Sequence, residues 1–246
     1  LHSAYHDATP LVFLVGQVER KDFGRQALQE QDISVLLADI TKQVMHVNEP
    51  ETASEVIARA FHLAESGTPG PVAIIVPEDV FDEETDVPVD LPRPQLKAAA
   101  REEDLDRLVD MIARAERPMV VVGGALLADA LADPQALEDL NRLAQEWMLP
   151  VSPSHRRPQA FDAHHPNYGG YMGIRVPPAL IAEMKKADLM VCLGERMTDT
   201  VSQSYTFPRA PQPQLPFVHI WPDADEIGRV WRPDLGIPAN PHEVIK

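Results

Sequence analysis

The sequence predicts an α/β protein built from two successive layers of parallel sheet. Short apolar, β-branched runs recur at residues 11–15, 71–77, 118–122, 189–193 and 217–220, each of a length that suits a buried strand. Between them lie stretches with apolar residues at helical spacing. Most strands then run out into glycine or polar residues, as strand–loop–helix–strand units do. The composition agrees. The chain has 246 residues, 44% hydrophobic and 24% charged, enough apolar surface for a core and too much for a disordered chain.

Taken in order, Leu1 to Asp7 reads as the end of a helix, broken at Thr9-Pro10. Residues 11–15 follow as a strand expected to be buried on both faces and to end at Gly16. A polar, irregular loop containing Gly24 and Gln29 comes next. Thr52-x-x-Glu55 has the form of a capping box, and Val56, Ile57, Ala60, Phe61 and Leu63 supply the apolar face of the helix behind it. Residues 66–70 stop that helix, and 71–77 form the second buried strand. Pro88, Pro92 and Pro94 then sit among acids with no apolar period, which marks a semi-extended linker. The expected division is residues 1–82, a linker over 83–101, and a second unit over 102–246.

The second unit repeats one theme. Glu102, Glu103 and Asp104 load a helix N-terminus, and Leu105, Leu108, Val109, Ile112 and Ala115 form its stripe. The strand at 118–122 runs into Gly123-Gly124. Asp133 before Pro134 reads as an N-cap, and Leu137, Leu140, Ala144 and Trp147 line the helix that follows. Pro150 puts the short strand around Val151 at a sheet edge or marks its entrance. Pro177 and Pro178 open a helix with Leu180, Ile181 and Met184 inward. The strand at 189–193 ends at Gly194, and that at 217–220 ends at Trp221-Pro222-Asp223.

Several function classes are excluded. With 22 Lys and Arg against 38 Asp and Glu, the net charge is −16, which is wrong for non-specific nucleic-acid binding. No apolar run approaches the ~20 residues of a membrane-spanning helix. One cysteine rules out a disulfide framework and a Cys-based zinc site. His155, His164 and His165 lack metal-ligand spacing, so no metal site is expected. Cys192 lies in mid-strand with no activating base and reads as a small buried hydrophobe. Trp147, Trp221 and Trp231 read as core or interface residues.

In open parallel sheets ligands sit outside the carboxyl ends of the strands. That selects Gly123-Gly124, residues 152–157, 194–199 and 223–228. Gly123 and Gly124 permit close approach of a phosphate or simply a tight turn. Arg196, just past Gly194, suits a phosphate partner or a solvated surface. Asp223 suits a ribose hydroxyl or a helix N-cap. Gln29, in the polar loop after the first strand, suits the orientation of a carbonyl or carboxylate or plain solvent exposure.

The segment Gly16-Gln17-Val18, Ala27-Leu28-Gln29-Glu30, Ile40-Thr41-Lys42, Ser66-Gly67-Thr68-Pro69-Gly70-Pro71-Val72 and Val76-Pro77-Glu78-Asp79 resembles the thiamine-diphosphate-dependent acetolactate synthase family. Its motifs occur there in this order at similar spacing. The second unit is similar to that family's central domain. It carries Arg117-Pro118 before the strand to Gly123-Gly124, Ala187-Asp188-Leu189 before the strand to Gly194-Glu195-Arg196, and Asp223-Ala224-Asp225-Glu226-Ile227-Gly228.

The resemblance implies the end of a pyrimidine-binding domain, a partial parallel-sheet α/β domain with an open edge. A complete, Rossmann-like parallel-sheet central domain follows it. It implies a parent enzyme that decarboxylates a 2-oxo acid such as pyruvate and, in synthases, ligates the product to a second one. That parent is expected to be a cytoplasmic homo-oligomer using thiamine diphosphate and Mg²⁺, with no nucleic-acid or membrane partner. No Gly-Asp-Gly occurs in the chain, so the family's diphosphate and Mg²⁺ site is expected to lie outside it, leaving this chain inactive alone. Gln29 matches the family's active-site glutamine, which faces substrate across a subunit interface, while Leu28 stands where phenylalanine is common. Gly123, Gly124, Gly194, Arg196 and Asp223 are the implied cofactor-binding positions. FAD, held by some members, is an option that Ala125 crowds. The alternative is a nucleotide-binding or purely structural oligomerisation module.

Overall fold

The computed structural model describes residues 1–246 and divides into two compact units, Leu1–Leu96 and Lys97–Lys246. In the first, α1 (His2–His6) leads into β1 (Leu11–Gln17), and α2 (Ile33–Leu37), β2 (Gln43–His46), α3 (Ala53–Glu65) and β3 (Pro71–Pro77) follow. The sheet is all-parallel in the order β1-β3-β2. β3 takes the centre and is buried at every position. Val56, Ala60 and Ala64 of α3 pack on it, as the one-face spacing of a helix requires. Ile57 and Phe61 lie about a quarter-turn away and are exposed, so the apolar face is narrower than the sequence implied.

Two expectations fail in this unit. β1 is not buried on both faces: Leu11, Phe13 and Leu14 are 39%, 40% and 58% exposed. The reason is sheet order, since β1 has a neighbour on one side only. Nor is Thr52 the cap of a capping box. Its hydroxyl donates to the Glu49 carbonyl at 2.9 Å and accepts nothing from α3, because Pro50–Thr52 forms a 3₁₀ turn that runs straight into the helix. The other end of α3 is capped from a distance. Lys42 Nζ donates to the carbonyls of Leu63 (2.7 Å) and Ser66 (2.6 Å), satisfying orphan groups at the negative end of the helix. Thus Ile-Thr-Lys and Ser-Gly-Thr-Pro-Gly are two halves of one packing contact, with Gly70 directly under the Lys42 stem.

Residues 83–101 carry neither helix nor strand. The second unit contains α4 (Glu102–Arg114), β4 (Pro118–Val122), α5 (Gly124–Ala132), α6 (Gln135–Glu146), β5 (Val151–Pro153), α7 (Pro178–Met184), β6 (Leu189–Leu193), β7 (Phe217–Trp221), β8 (Leu235–Pro238) and α8 (Pro241–Ile245). Its five strands are parallel in the order β5-β4-β6-β7-β8, with β5 at the edge that Pro150 allowed. Alternate strand residues feed two cores. Val120, Val122, Val191, Leu193, Val218 and Ile220 face the layer of α5, α6 and α8. Met119, Val121, Met190, Cys192 and Phe217 face α7 and the loops carrying Met197, Phe207 and Trp231. Burial on both sides is why these strands read as unbroken apolar runs, each side chain contributing about 1.5–3 kcal/mol.

The sequence missed α5, β8 and α8 for local reasons. α5 begins on a glycine, β8 contains Gly236 and Pro238, and α8 is five residues long. Asp133 does cap the turn into α6, its carboxylate accepting the Gln135 N–H at 3.1 Å. Trp147 lies just past that helix and is 38% exposed, whereas Trp221 and Trp231 are buried. On α4 the buried side is Leu108 with Met111 and Ile112 beside it, and Val109 faces outward. No helix is long and apolar enough to cross a membrane.

Candidate functional site

Both units present loops at the carboxyl ends of their parallel strands, and each is described by itself. In the first unit these ends surround a cavity of 690 Å³. Gln17 closes β1, His46 and Asn48 follow from β2, and Ile75 and Pro77 come from β3. The loop between β1 and α2 forms the remaining wall through Phe23, Gln26 and Gln31, with Ile33 and Ser34 from the start of α2. Hydrogen bonds within the chain shape it. Gln17 uses both ends of its amide, Nε2 donating to the Gln31 carbonyl (2.8 Å) and Oε1 accepting the Val18 N–H (2.9 Å). Arg20 donates from Nε to Asp79 (2.7 Å) and from Nη1 to the Asn48 carbonyl (2.7 Å), so the Val-Pro-Glu-Asp motif holds the loop down. Asp32 caps α2 by accepting the Val35 N–H at 3.1 Å.

Gln29 sits at the tip of this loop with φ +69° and is exposed. Glu30 clamps the turn that carries it, accepting the Gly24 N–H at 2.5 Å and the Ala27 N–H at 3.1 Å. Those backbone donors hold the Glu30 carboxyl below its ordinary range. Leu28, its neighbour, is 89% exposed. The sequence missed Ser34 and His46, whose Oγ and Nε2 lie 2.9 Å apart at the cavity wall. They are twelve residues apart and belong to no motif. The cavity lining contains no lysine or arginine, and its two carboxylates, Glu30 and Asp32, already accept backbone N–H groups.

In the second unit the structure brings together the five candidates of its strand-end loops in two clusters. Gly123, Gly124 and Gly194 form the first. The Gly123 N–H donates to the Leu193 carbonyl, and the Ala125 N–H to the Gly194 carbonyl, both at 3.0 Å. A Cβ on Gly123 would lie 2.5 Å from Glu195 Oε2 and 2.5 Å from the Gly194 carbonyl, and one on Gly124 would lie 2.8 Å from Arg157 Nε. Gly194 adopts φ +66°, which glycine alone takes without cost. Arg196 and Asp223 form the second cluster through Glu226. Arg196 Nε is 3.4 Å from Glu226 Oε2, and the Glu226 N–H donates to the Asp223 carbonyl at 3.3 Å. The Asp223 carboxylate accepts the Asp225 N–H at 3.1 Å, an Asx turn with no helix behind it.

Glu195 joins these loops; the sequence placed it in the strand-end loop 194–199 but gave it no role. Its carboxyl is buried and accepts the Ser154 hydroxyl at 2.5 Å. Its carbonyl accepts both the Cys192 thiol and His219 Nε2–H at 3.0 Å, which fixes the His219 tautomer. Burial pushes the Glu195 carboxyl up, against the lowering pull of Ser154 and Arg157, pushes the Cys192 thiol well up, and pushes His219 down. All three are thereby biased to their neutral forms. No group of three or more His, Cys, Asp or Glu side chains is arranged to hold a metal ion.

Fold and site together define a parallel α/β protein with its ligand-facing loops at the strand ends of each layer. Residues 105–246 match the family model described as the central domain of thiamine pyrophosphate enzymes, and the chain belongs to that family. It is 32% identical over 251 residues to a Methanocaldococcus jannaschii protein assigned as an acetolactate synthase large subunit, covering 99% of this chain and 41% of that one. It is 30% identical to the acetolactate synthase large subunit of Corynebacterium glutamicum (97% and 38% covered) and 31% identical to a glyoxylate carboligase of Escherichia coli O157:H7 (98% and 40%). The chain thus spans about two fifths of the length of the curated relatives it matches. Its fold is shared with a thiamin diphosphate-dependent enzyme isolated from Mycobacterium smegmatis, at TM-score 0.77 and 18% identity, covering 99% of this chain and 46% of that one.

Proposed function

We propose that this chain forms part of a thiamine-diphosphate-dependent enzyme acting on 2-oxo acids, in which the first unit holds the ring end of the cofactor and the second is the central domain. The observation that carries this is the cavity at the strand ends of the first unit. At 690 Å³ it is of small-molecule size. Its wall mixes Phe23, Ile33 and Ile75 with the hydrogen-bonding groups of Gln26, Gln31, Ser34, His46 and Asn48, which suits a neutral heteroaromatic ring. It offers no cation to a diphosphate, and diphosphate sites need cations or metal.

Thiamine diphosphate, when bound, supplies an electron sink for the carbon left behind when a 2-oxo acid loses CO₂. The protein's own part is positioning. Gln29, held at the loop tip by the Glu30 clamp, presents an amide N–H that orients the substrate's carboxylate or carbonyl oxygen. The exposed Leu28 beside it, with Leu14 and Phe13 on β1, supports a homo-oligomer in which this loop reaches a neighbouring subunit's substrate. Mg²⁺ and the diphosphate are held outside residues 1–246. The buried, unpaired Cys192 suits the reducing cytoplasm. The alternative, a module without chemistry, has no support among the relatives above, all of which carry enzyme names.

The test is a chimera in which residues 1–246 replace the matching segment of the Methanocaldococcus jannaschii relative. Assayed with thiamine diphosphate and Mg²⁺, it is expected to consume pyruvate or glyoxylate, and product analysis separates decarboxylation from carboligation. A folded chimera that turns over no 2-oxo acid would refute the proposal.

A further inference from the structure

We propose that the strand-end crevice of the second unit is closed by the chain's own oxygen atoms and takes no FAD or other dinucleotide. A dinucleotide pyrophosphate rests on the free N–H groups of a helix N-terminus, brought close by glycines. Here α5 is that helix and Gly123-Gly124 are those glycines. Two of the donors at this turn are already engaged: the Gly123 N–H is bonded to the Leu193 carbonyl and the Ala125 N–H to the Gly194 carbonyl. Acceptor oxygens crowd the space beside Gly123. The Gly194 carbonyl and Glu195 Oε2 each lie 2.5 Å from where a Gly123 Cβ would be.

A phosphate brought to this point would meet the Gly194 carbonyl dipole and the Glu195 carboxyl where a dinucleotide site offers N–H donors, so the loss of its water would go uncompensated. Glu195 is not a mobile rim residue that could swing aside. Its carboxyl is held by Ser154 and its carbonyl by Cys192 and His219. Arg157, the cation nearest Gly124, lies where a side chain on that glycine would go. Its Nη1 donates to the Arg156 carbonyl at 3.2 Å. The glycines are therefore needed for contact between the chain's own loops, and the residues present do not fit FAD.

This inference is independent of the reaction proposed above, and its probe is local. Inorganic pyrophosphate is titrated into the isotopically labelled chain while the amide resonances of Gly123, Gly124 and Ala125 are followed; FAD is titrated separately by flavin fluorescence. The expected result is no saturable shift at those amides up to millimolar pyrophosphate and no flavin bound to the purified protein. Saturable shifts at the three amides, or flavin bound stoichiometrically, would overturn it. Gly123→Ala adds a second reading. A filled position predicts a fall in Tm of about 5 °C or failure to fold, whereas an unchanged Tm would show that the space above Gly123 is open.

Discussion

Asp139→Ala is expected to lower the stability of the Lys97–Lys246 unit by about 1–3 kcal/mol, the cost of leaving buried hydrogen-bonding groups without their partner. Asp139 and His242 are 5% and 4% exposed. His242 Nε2 lies 2.9 Å from Asp139 Oδ2. The pair sits in a larger network. Arg142 and Gln135 also bond Asp139, at 2.7 and 3.2 Å. Asp129 accepts the His242 backbone N–H at 3.0 Å and the Asn240 amide at 2.9 Å. Asn240 in turn exchanges hydrogen bonds with Ala98 at 2.8 and 2.9 Å. The network ties residues 98 and 240–245 to α5 and α6, so its loss loosens one whole face of the sheet. All three tryptophans lie in this unit, and urea unfolding followed by their fluorescence reads it alone. A loss under 1 kcal/mol would mean that the imidazole finds another partner.

The same variant carries a pH signature. The His242 bond, with Gln135 and Arg142, holds the Asp139 carboxyl below its ordinary value. A group whose pKa is depressed by folding contributes stability that is complete above its unfolded value, about 3.9, and is lost as pH falls through the folded value. The gap between the native protein and Asp139→Ala is therefore expected to be flat from neutral pH down to about pH 5 and to close below about pH 4. Unfolding midpoints across that range check it.

Gln29→Ala in the chimera is expected to lower kcat/KM for the 2-oxo acid by about 10²-fold, the size of effect seen when one placed hydrogen-bond donor is lost from a reacting oxygen. The side chain is exposed at a loop tip and its turn is fixed by Glu30, so stability should be within about 0.5 kcal/mol of the native value. Steady-state kinetics beside urea unfolding separates the two quantities. Unchanged kinetics would place Gln29 among ordinary surface residues.

The parts of the fold that were legible in the sequence are those settled by local pattern. β3, β4, β6 and β7 are apolar runs buried on both faces, and α3, α4 and α6 carry a helical period. What stayed hidden depends on partners distant in the chain. The exposure of β1 follows from strand order, which no local window contains. β8 hides behind Gly236 and Pro238 because pairing with β7 and the burial of Leu235 and Ile237 override their poor strand propensity. The loops selected from the sequence do lie at the carboxyl ends of the strands, yet the residues that shape them were missed. Glu195 is an acid, and acids are almost never buried without a partner; only the backbone path past Gly194 brings it to Ser154. His46 and Ser34 meet because the end of β2 and the start of α2 lie side by side over one cavity.

The division of the cofactor between residues inside and outside this chain is tested most directly by titrating the chain with thiamine and with thiamine diphosphate, each with and without Mg²⁺. Calorimetry gives the affinity, and the His46 imidazole resonance reports the cavity. Both ligands are expected to bind weakly, within about threefold of one another and with no effect of Mg²⁺, and both are expected to shift His46. Micromolar binding of thiamine diphosphate that requires Mg²⁺ would contradict this division, because the metal clamp would then lie within residues 1–246.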